Sequence, residues 1–422
     1  ATSCRPKPPG SSQSLEADWC CTVWSNPFVD YPDFMDVGLK APNGAFPMIA
    51  KTLFGLEGIL AEELAQIGGQ DIKPLNRAVR FEGDKEVLYK SNYLSRTALR
   101  ILKPIASFRG FNDRQLYKKV RSVDWNVYFN LHQSFAVECV TNSDVFRHSK
   151  YVALKVKDAV VDQFRDKYGE RPSVDTQSPD IQIHIHISDK QCDVLLDGSG
   201  KSLDRRGYRT ESTIAPINEV LAAGMLTKAG FMDYGHMIDP MCGSGTIPIE
   251  AAMMAAHIPP GRLRKFSFEN WPDFDHTLFQ KIKAEAEEKI ISPEKQIRGT
   301  DSDPDAIAMA KENARRAGVY DYISFQQMDF FNAESNAKEG LVMMNPPYGE
   351  RIKNEKIAEF YKKISDQLKT EFTGFDAWMI SSNPEAMKHF RLRSSRKIKV
   401  FNGPLECKLY KFELYKGSRK KS

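Results

Sequence analysis

From Met237 onward the chain alternates between short apolar runs and helix-patterned segments, a rhythm that few folds accept. Met237–Asp239, Gln296–Thr300, Ile323–Gln326, Leu341–Met344 and Ala377–Ile380 read as strands. Ile247–Ala256, Pro304–Ala317 and Glu355–Thr370 read as helices between them, and Pro216–Ala229 as one before them. Strands that alternate with helices need crossover connections, which favour parallel pairing and a sheet covered on both faces. The final runs, Ile398–Phe401 and Lys408–Leu414, flank Gly403-Pro404 and read as a hairpin that ends the sheet antiparallel. The expected fold class is therefore α/β, doubly wound. Such sheets bind ligands beyond the carboxyl ends of their strands, so the residues at those ends carry the functional argument.

The first strand runs into Asp239-Pro240-Met241-Cys242-Gly243-Ser244-Gly245-Thr246. Glycines between a strand and a helix let the backbone approach a ligand closely. A dinucleotide fingerprint would need a third glycine where Pro248 stands, and no Lys-Ser/Thr follows to make a phosphate loop. The loop suits a ligand without phosphates, such as S-adenosylmethionine. Cys242 is small enough to be explained by the loop alone and is not read as a nucleophile. The second strand ends in Asp301-Ser302-Asp303. An acidic side chain there is the expected partner of a ribose diol, and Asp301 comes first off the strand; Asp303-Pro304 reads as a helix start. Between these two strands, Arg262–Asp275 carries Phe266, Phe268, Trp271 and Phe274, and is expected to pack beside the pocket. Asp329, after the third strand, reads as an acceptor for an adenine amino group or as a turn cap; the company of the other two motifs favours the first.

The fourth strand, Leu341–Met344, stops at Asn345-Pro346-Pro347-Tyr348. Two prolines end a buried strand abruptly and throw an amide and an aromatic ring off its carboxyl edge. The Asn345 oxygen and the Pro346 carbonyl can accept both N–H bonds of an exocyclic amine, while the Tyr348 ring stacks on a planar base. These are tools for methylating an amine on a nucleobase.

Upstream, Met48 opens a strand followed by a helix whose Leu53, Leu56, Leu60, Leu64 and Ile67 share a face, ended by Gly68-Gly69. Val79–Phe81 and Arg100–Ile105 read as strands around a helix over Lys85–Asn92. A second α+β region follows. In it Phe135–Val140 alternates, Ser149 caps a helix through Phe164 with Tyr151, Leu154, Ala159 and Val160 among its apolar residues, and Ile181–Ile187 alternates Ile with Gln182, His184 and His186. Those histidines are expected on the solvent face rather than in a metal site, since no third ligand is evident. Arg114, Lys118, Lys119 and Arg121 in this region fit RNA held by its backbone, or a solvated face. Leu203–Arg209 reads as a polar hinge into the last domain.

Charge sharpens the expected partner. The net charge is +5, yet residues 1–47 hold three Lys/Arg against five Asp/Glu, and Ala386–Ser422 holds twelve Lys/Arg against two Glu. A basic carboxyl end points to a polyanion. Seven cysteines without a CxxC pair fit reduced thiols in a cytoplasmic protein. No apolar run approaches transmembrane length, so no membrane partner is expected, and without a third ligand beside the histidines no metal is expected.

Taken together these residues resemble the class I S-adenosylmethionine methyltransferases of the amino type. Within them the chain is most similar to the THUMP-domain RNA guanine-N2 methyltransferases, notably those acting on bacterial large-subunit ribosomal RNA. The carrying residues are Met48–Glu57, Arg205-Arg206-Gly207-Tyr208-Arg209, the glycine loop, Asn345–Tyr348 and Gly349-Glu350-Arg351. The resemblance implies a Rossmann-like methyltransferase sheet over 203–416, preceded by two small α+β domains: ferredoxin-like over 48–106 and RNA-binding THUMP over 107–202. It implies S-adenosylmethionine as cofactor, held by Asp239, Cys242, Gly243, Ser244, Gly245, Thr246, Asp301, Asp329 and Asn345, with Asn345, Pro346, Pro347 and Tyr348 catalytic. Residues 1–47 have no counterpart and are expected to be an unpatterned leader, dispensable for activity; 417–422 form a basic tail. Some relatives carry a second methyltransferase domain that this chain lacks, so one modification is expected. The rival activities are tRNA guanine-N2 methylation, DNA adenine-N6 methylation and non-catalytic RNA binding.

Overall fold

The computed structural model describes residues 44–209, 217–335, 337–349 and 354–416. Most of the expected leader, the basic tail, and Glu350-Arg351 lie outside the described residues.

The front half builds one mixed sheet. Its strands are Phe46–Lys51 (β1), Gln70–Leu75 (β2), Ala78–Gly83 (β3), Arg100–Arg109 (β4), Phe135–Asn142 (β5), Ile181–Ser188 (β6) and Gln191–Asp197 (β7), in the order β2-β3-β1-β4-β7-β6-β5. The two small domains thus share a sheet through β4, whose register with β7 shifts between Pro104 and Ala106, where a proline is tolerated. β2 has no counterpart in the sequence reading, because this polar edge strand with Pro74 lacks apolar alternation. Helices Glu57–Ile67 (α1), Lys85–Leu94 (α2), Asp113–Arg121 (α3) and Ser149–Tyr168 (α4) cover the face built from Met48, Phe81, Ile101, Ile183 and Leu196. Gly68 ends α1 in the left-handed region, φ 104°.

Two expectations in this half are corrected. The helix α4 begins with Ser149 already inside it and His148 at the cap, and it turns Val152, Val156, Val160 and Phe164 inward while Tyr151 and Leu154 stay exposed. Residues three and four apart share a helix face, so Ala159 and Val160 fall on the buried stripe while Tyr151 and Leu154 fall off it. His184 and His186 do not face solvent: His184 is 5 % exposed, with Nδ1 3.4 Å from Glu138 and Nε2 3.1 Å from Asp197, which also pairs with Arg100. Charged partners on neighbouring strands make burial of the imidazole tolerable.

The second half is the doubly wound sheet. Helix Glu219–Ala229 (α5) leads into strands His236–Asp239 (β8), Gln296–Asp301 (β9), Ile323–Gln327 (β10), Gly340–Met344 (β11), Phe375–Ser381 (β12), Arg396–Asn402 (β13) and Leu405–Glu413 (β14). The order is β10-β9-β8-β11-β12-β14-β13, parallel from β10 to β12 and antiparallel thereafter. The crossovers use Thr246–Ala255 (α6), His276–Glu287 (α7), Pro304–Ala317 (α8) and Asn354–Glu371 (α9), with the short Pro384–Lys388 (α10) after β12. Strand order reverses between β8 and β11, so the glycine loop and the Asn345 turn leave the sheet side by side at its switch point.

The halves meet over a buried surface. Segment 262–275 does not pack beside the pocket as expected. Its Phe266, Phe268, Trp271 and Phe274 pack into the front core, with Phe268 stacked on Tyr89 at 4.5 Å, because a run of aromatics gains most where it leaves water altogether. Leu56 presses on α5 so closely that a Cβ at Gly224 would lie 2.6 Å from its methyls. Nor is 203–209 a polar hinge in solvent. Arg206, 2 % exposed, lies 3.4 Å from Glu250 of α6 and donates to the carbonyls of Leu203 and Arg96, and Tyr208 donates to Glu250 at 3.1 Å. A buried guanidinium and carboxylate persist only as partners.

Candidate functional site

β8 delivers Asp239, 1 % exposed, whose carboxylate accepts from the Met241 backbone N–H at 3.2 Å. Burial, with Asp301 nearby, pushes this carboxyl well above its usual range. The loop then closes on β9: Cys242 N–H donates to the Thr300 carbonyl at 2.9 Å and Gly243 N–H to Asp301 Oδ2 at 2.9 Å. Gly245 sits at φ 85°, and a Cβ there would strike Ala310 at 2.9 Å, so glycine is required for the loop to seat on α8. Asn313 of α8 fixes the Ser244 carbonyl at 3.0 Å, and Arg209 donates to Thr246 Oγ1 at 2.7 Å. Burial pushes the Cys242 thiol well up, so it is a small packed thiol and no thiolate.

Asp301 spans two backbone amides, Gly243 through Oδ2 and Asp303 through Oδ1 at 3.0 Å, while remaining partly exposed at the strand edge. Asp303 is the cap of α8, accepting from Asp305 at 2.9 Å. Asp329 accepts from the Phe331 backbone at 3.0 Å and opens a short 3-10 turn, so the capping role is visible and the adenine role stays a proposal.

The turn after β11 is tied on three sides. Tyr348 Oη donates to Asn345 Oδ1 at 2.6 Å, Asn383 donates to the Tyr348 carbonyl at 2.8 Å, and Tyr361 Oη donates to the Pro347 carbonyl at 3.3 Å. Pro346 is buried and Pro347 exposed; Asn345 and Tyr348 are half-buried. Burial, with Cys407 and Tyr361 close by, holds the Tyr348 phenol well above its ordinary value and so protonated. The Tyr348 ring packs against the sheet core instead of standing free. Asn383, Tyr361 and Arg209 were not foreseen as supports. The dipeptide Asn383-Pro384 was a legible helix start, since it caps α10 through Ala386 N–H at 2.9 Å, but its bond to the Tyr348 carbonyl needed the fold.

The elements fit a phosphate-free nucleoside ligand: a glycine loop beside β8, carboxylates at the ends of β8 and β9, and no lysine on the loop. Among the described residues no group of three His, Cys, Asp or Glu could hold a metal ion, and no helix is long and apolar enough to cross a membrane.

A Rossmann-like sheet with this loop at its switch point defines a class I S-adenosylmethionine-dependent methyltransferase. The chain belongs to the THUMP-domain RNA methyltransferases of the RlmK/L type. Residues 206–411 match an RMKL-like methyltransferase domain, 112–197 a THUMP domain, and 47–102 an RlmL ferredoxin-like domain. It is 40% identical over 375 residues to a Synechocystis sp. protein described as an RNA methyltransferase, covering 87% of this chain and 97% of that one. It is 38% identical over 373 residues to the ribosomal RNA large subunit methyltransferase K/L of Syntrophotalea carbinolica, covering 85% of this chain and 52% of that one. The chain therefore spans about half the length of the K/L relative. Among solved structures, the methyltransferase SMU.472 in complex with S-adenosylhomocysteine superposes with a TM-score of 0.79 at 30% identity, covering 89% of this chain and 99% of that one. The cofactor is S-adenosylmethionine.

Proposed function

We propose that the protein methylates the exocyclic N2 amine of a guanine in large-subunit ribosomal RNA. The observation that carries this reading is the Asn345 amide at the end of β11, next to the glycine loop after β8. The K/L relative's name supports the rRNA target. S-adenosylmethionine supplies the methyl group. Glycine-loop residues Asp239 and Cys242–Thr246 hold it, with Asp301 on the ribose, Asp329 toward the adenine and Asn345 at its mouth.

The guanine amine is a weak nucleophile because its lone pair is delocalised into the ring. Asn345 Oδ1 and the Pro346 carbonyl accept its two N–H bonds and turn the lone pair outward. Catalysis is then positioning and fixed dipoles. A base must leave its helix to reach this turn, and the Tyr348 ring supplies a face for it to stack on. To do so the ring must give up its present seat and its bond to Asn345. Residues 48–106 and 107–202 act as the ferredoxin-like and THUMP domains, the latter gripping RNA, with 203–416 as the methyltransferase in a cytoplasmic enzyme.

Mass spectrometry of nucleosides from rRNA and tRNA treated with the enzyme tests the reading. N2-methylguanosine in large-subunit rRNA is the expected product. N2-methylguanosine in tRNA alone moves the target. N6-methyladenosine overturns the guanine assignment.

A further inference from the structure

The hairpin β13–β14 carries charge where physics disfavours it. Lys399 stands directly opposite Lys408 and Arg396 directly opposite Lys411 in the ladder. Like charges in that relation destabilise a hairpin unless something else neutralises them. Glu406 answers Lys399 at 2.7 Å and Asp376 answers Lys411 at 2.7 Å. Among the described residues, no carboxylate lies within ion-pair distance of Arg393, Arg396, Lys397 or Lys408. Lys397 rests over the Tyr410 ring at 5.9 Å, cation against aromatic face.

These cations do not simply scatter over a convex surface. Lys388, Arg393, Lys397 and Lys408 rim a groove floored by Met387 and Tyr410, between α10 and the hairpin. One end of the groove, at Lys408, reaches the carboxyl edge of the sheet. Lys408 pairs in register with Ser381, the last residue of β12, and Met379 of β12 pairs with both Met344 and Tyr410. The groove floor therefore lies two strands from the Asn345 turn, about 10 Å at ordinary strand spacing. Its wall is also bonded to that turn, because Asn383, the cap of α10, holds the Tyr348 carbonyl.

We propose that this groove binds the sugar-phosphate backbone of the unpaired RNA strand flanking the target nucleotide. The inference rests on the reading of the Asn345 turn as the place where an RNA base is methylated. A base turned out of its helix leaves unpaired backbone beside it, and that backbone has to be held for the base to stay. Exposed guanidinium and ammonium groups over a half-apolar floor are suited to phosphates without reading sequence. This grip is separate from the basic cluster of α3, which belongs to the front sheet. The front surface would set affinity for the folded RNA, and the groove would set the path of the one strand that enters.

The test is the full chain carrying Arg393→Ala, Lys397→Ala and Lys408→Ala together. Three lost phosphate contacts on a single strand lower the slope of log affinity against log salt by about 2, and weaken binding on the order of tenfold at physiological salt. The probe is a fluorescein-labelled unstructured oligoribonucleotide, titrated across salt concentrations. Cofactor affinity by calorimetry stays unchanged, methyl transfer to rRNA shows a raised KM at the same kcat, and Arg393→Lys with Lys397→Arg and Lys408→Arg restores binding. An unchanged salt slope and affinity overturns the proposal, and so does failure of the charge-keeping variant to rescue. The two readings fail separately. If the wild type makes no methylguanosine but the triple variant loses oligonucleotide binding, the groove stands and the guanine assignment falls. If the wild type methylates guanine and the variant keeps its KM, the reverse holds.

Discussion

Removing the Tyr348 hydroxyl should improve capture of the target base. In the structure that hydroxyl already occupies Asn345 Oδ1, at 2.6 Å, and Asn345 is the acceptor on which the proposed chemistry depends. An incoming guanine amine therefore has to compete with a protein donor that is protonated at neutral pH, its phenol held well up by burial. A neutral hydrogen bond of this kind contributes about 0.5–1.5 kcal/mol net. Tyr348→Phe keeps the ring and deletes only the competitor, so KM for RNA should fall by about two- to twelvefold, a factor of ten per 1.4 kcal/mol. Steady-state kinetics with tritiated cofactor and rRNA separates the terms: kcat should not move, because the bond is broken before methyl transfer. A fall in kcat at constant KM would mean that the hydroxyl acts in the transition state. A rise in KM would mean that it binds substrate. Either result refutes the reasoning.

Asn345→Ala should bind S-adenosylmethionine normally yet lose methyl transfer by at least about a hundredfold, since losing one contact to developing charge costs roughly 2.7–4 kcal/mol; single-turnover rates check this. Asp301→Ala should weaken cofactor binding more than tenfold by calorimetry, through charge-assisted bonds worth about 1.5–3 kcal/mol, and unchanged affinity would reassign the ribose partner. Glu250→Ala strands the buried Arg206 and should destabilise the chain by about 3–5 kcal/mol in urea unfolding, whereas Arg206→Met with Glu250→Met should recover most of that loss. A fragment beginning at Leu203 exposes the Phe266, Phe268 and Trp271 surface and should aggregate; a monodisperse, cofactor-binding fragment by light scattering and calorimetry would contradict the buried junction.

Features with a local period were legible in the sequence. The β8–β12 alternation, the left-handed Gly68 and the Asp303-Pro304 helix start each rest on a few neighbouring residues, and the structure reproduces them. Where reading failed, a partner distant in sequence decided the outcome. His184 looked solvent-facing because alternation puts polar residues outside, yet Glu138 and Asp197 are supplied by the strands on either side. Arg205–Arg209 looked like a hinge because it is dense in charge, yet Glu250 waits 44 residues downstream of Arg206. A role for Asn345 could be proposed from four residues, but its bond to Tyr348 could not be read there, since it depends on how the turn packs against Cys407 and Tyr361.

The buried Arg206–Glu250 contact also bears on how the front half and the methyltransferase half are joined. Helix α6 carries the glycine loop at its start, where Arg209 holds Thr246, and meets Arg206 at Glu250 midway. Near its end Arg96 binds the carbonyls of Met253 and Ile258 at 3.2 and 2.8 Å. Arg96 in turn belongs to the front half, where Glu63 of α1 accepts from its backbone N–H at 3.1 Å. The helix that positions the cofactor loop is thus fixed by the same residues that fix the first domain. A misplacement of about 1 Å between reacting groups can cost on the order of a hundredfold in rate. If the front half grips RNA as proposed, a loose hinge would let that surface drift by more than that relative to the loop. Under the proposed function, burying the arginines, at the desolvation cost such pairs carry, would keep the distance from RNA grip to methyl donor fixed, so that binding energy gained at the front could act at Asn345.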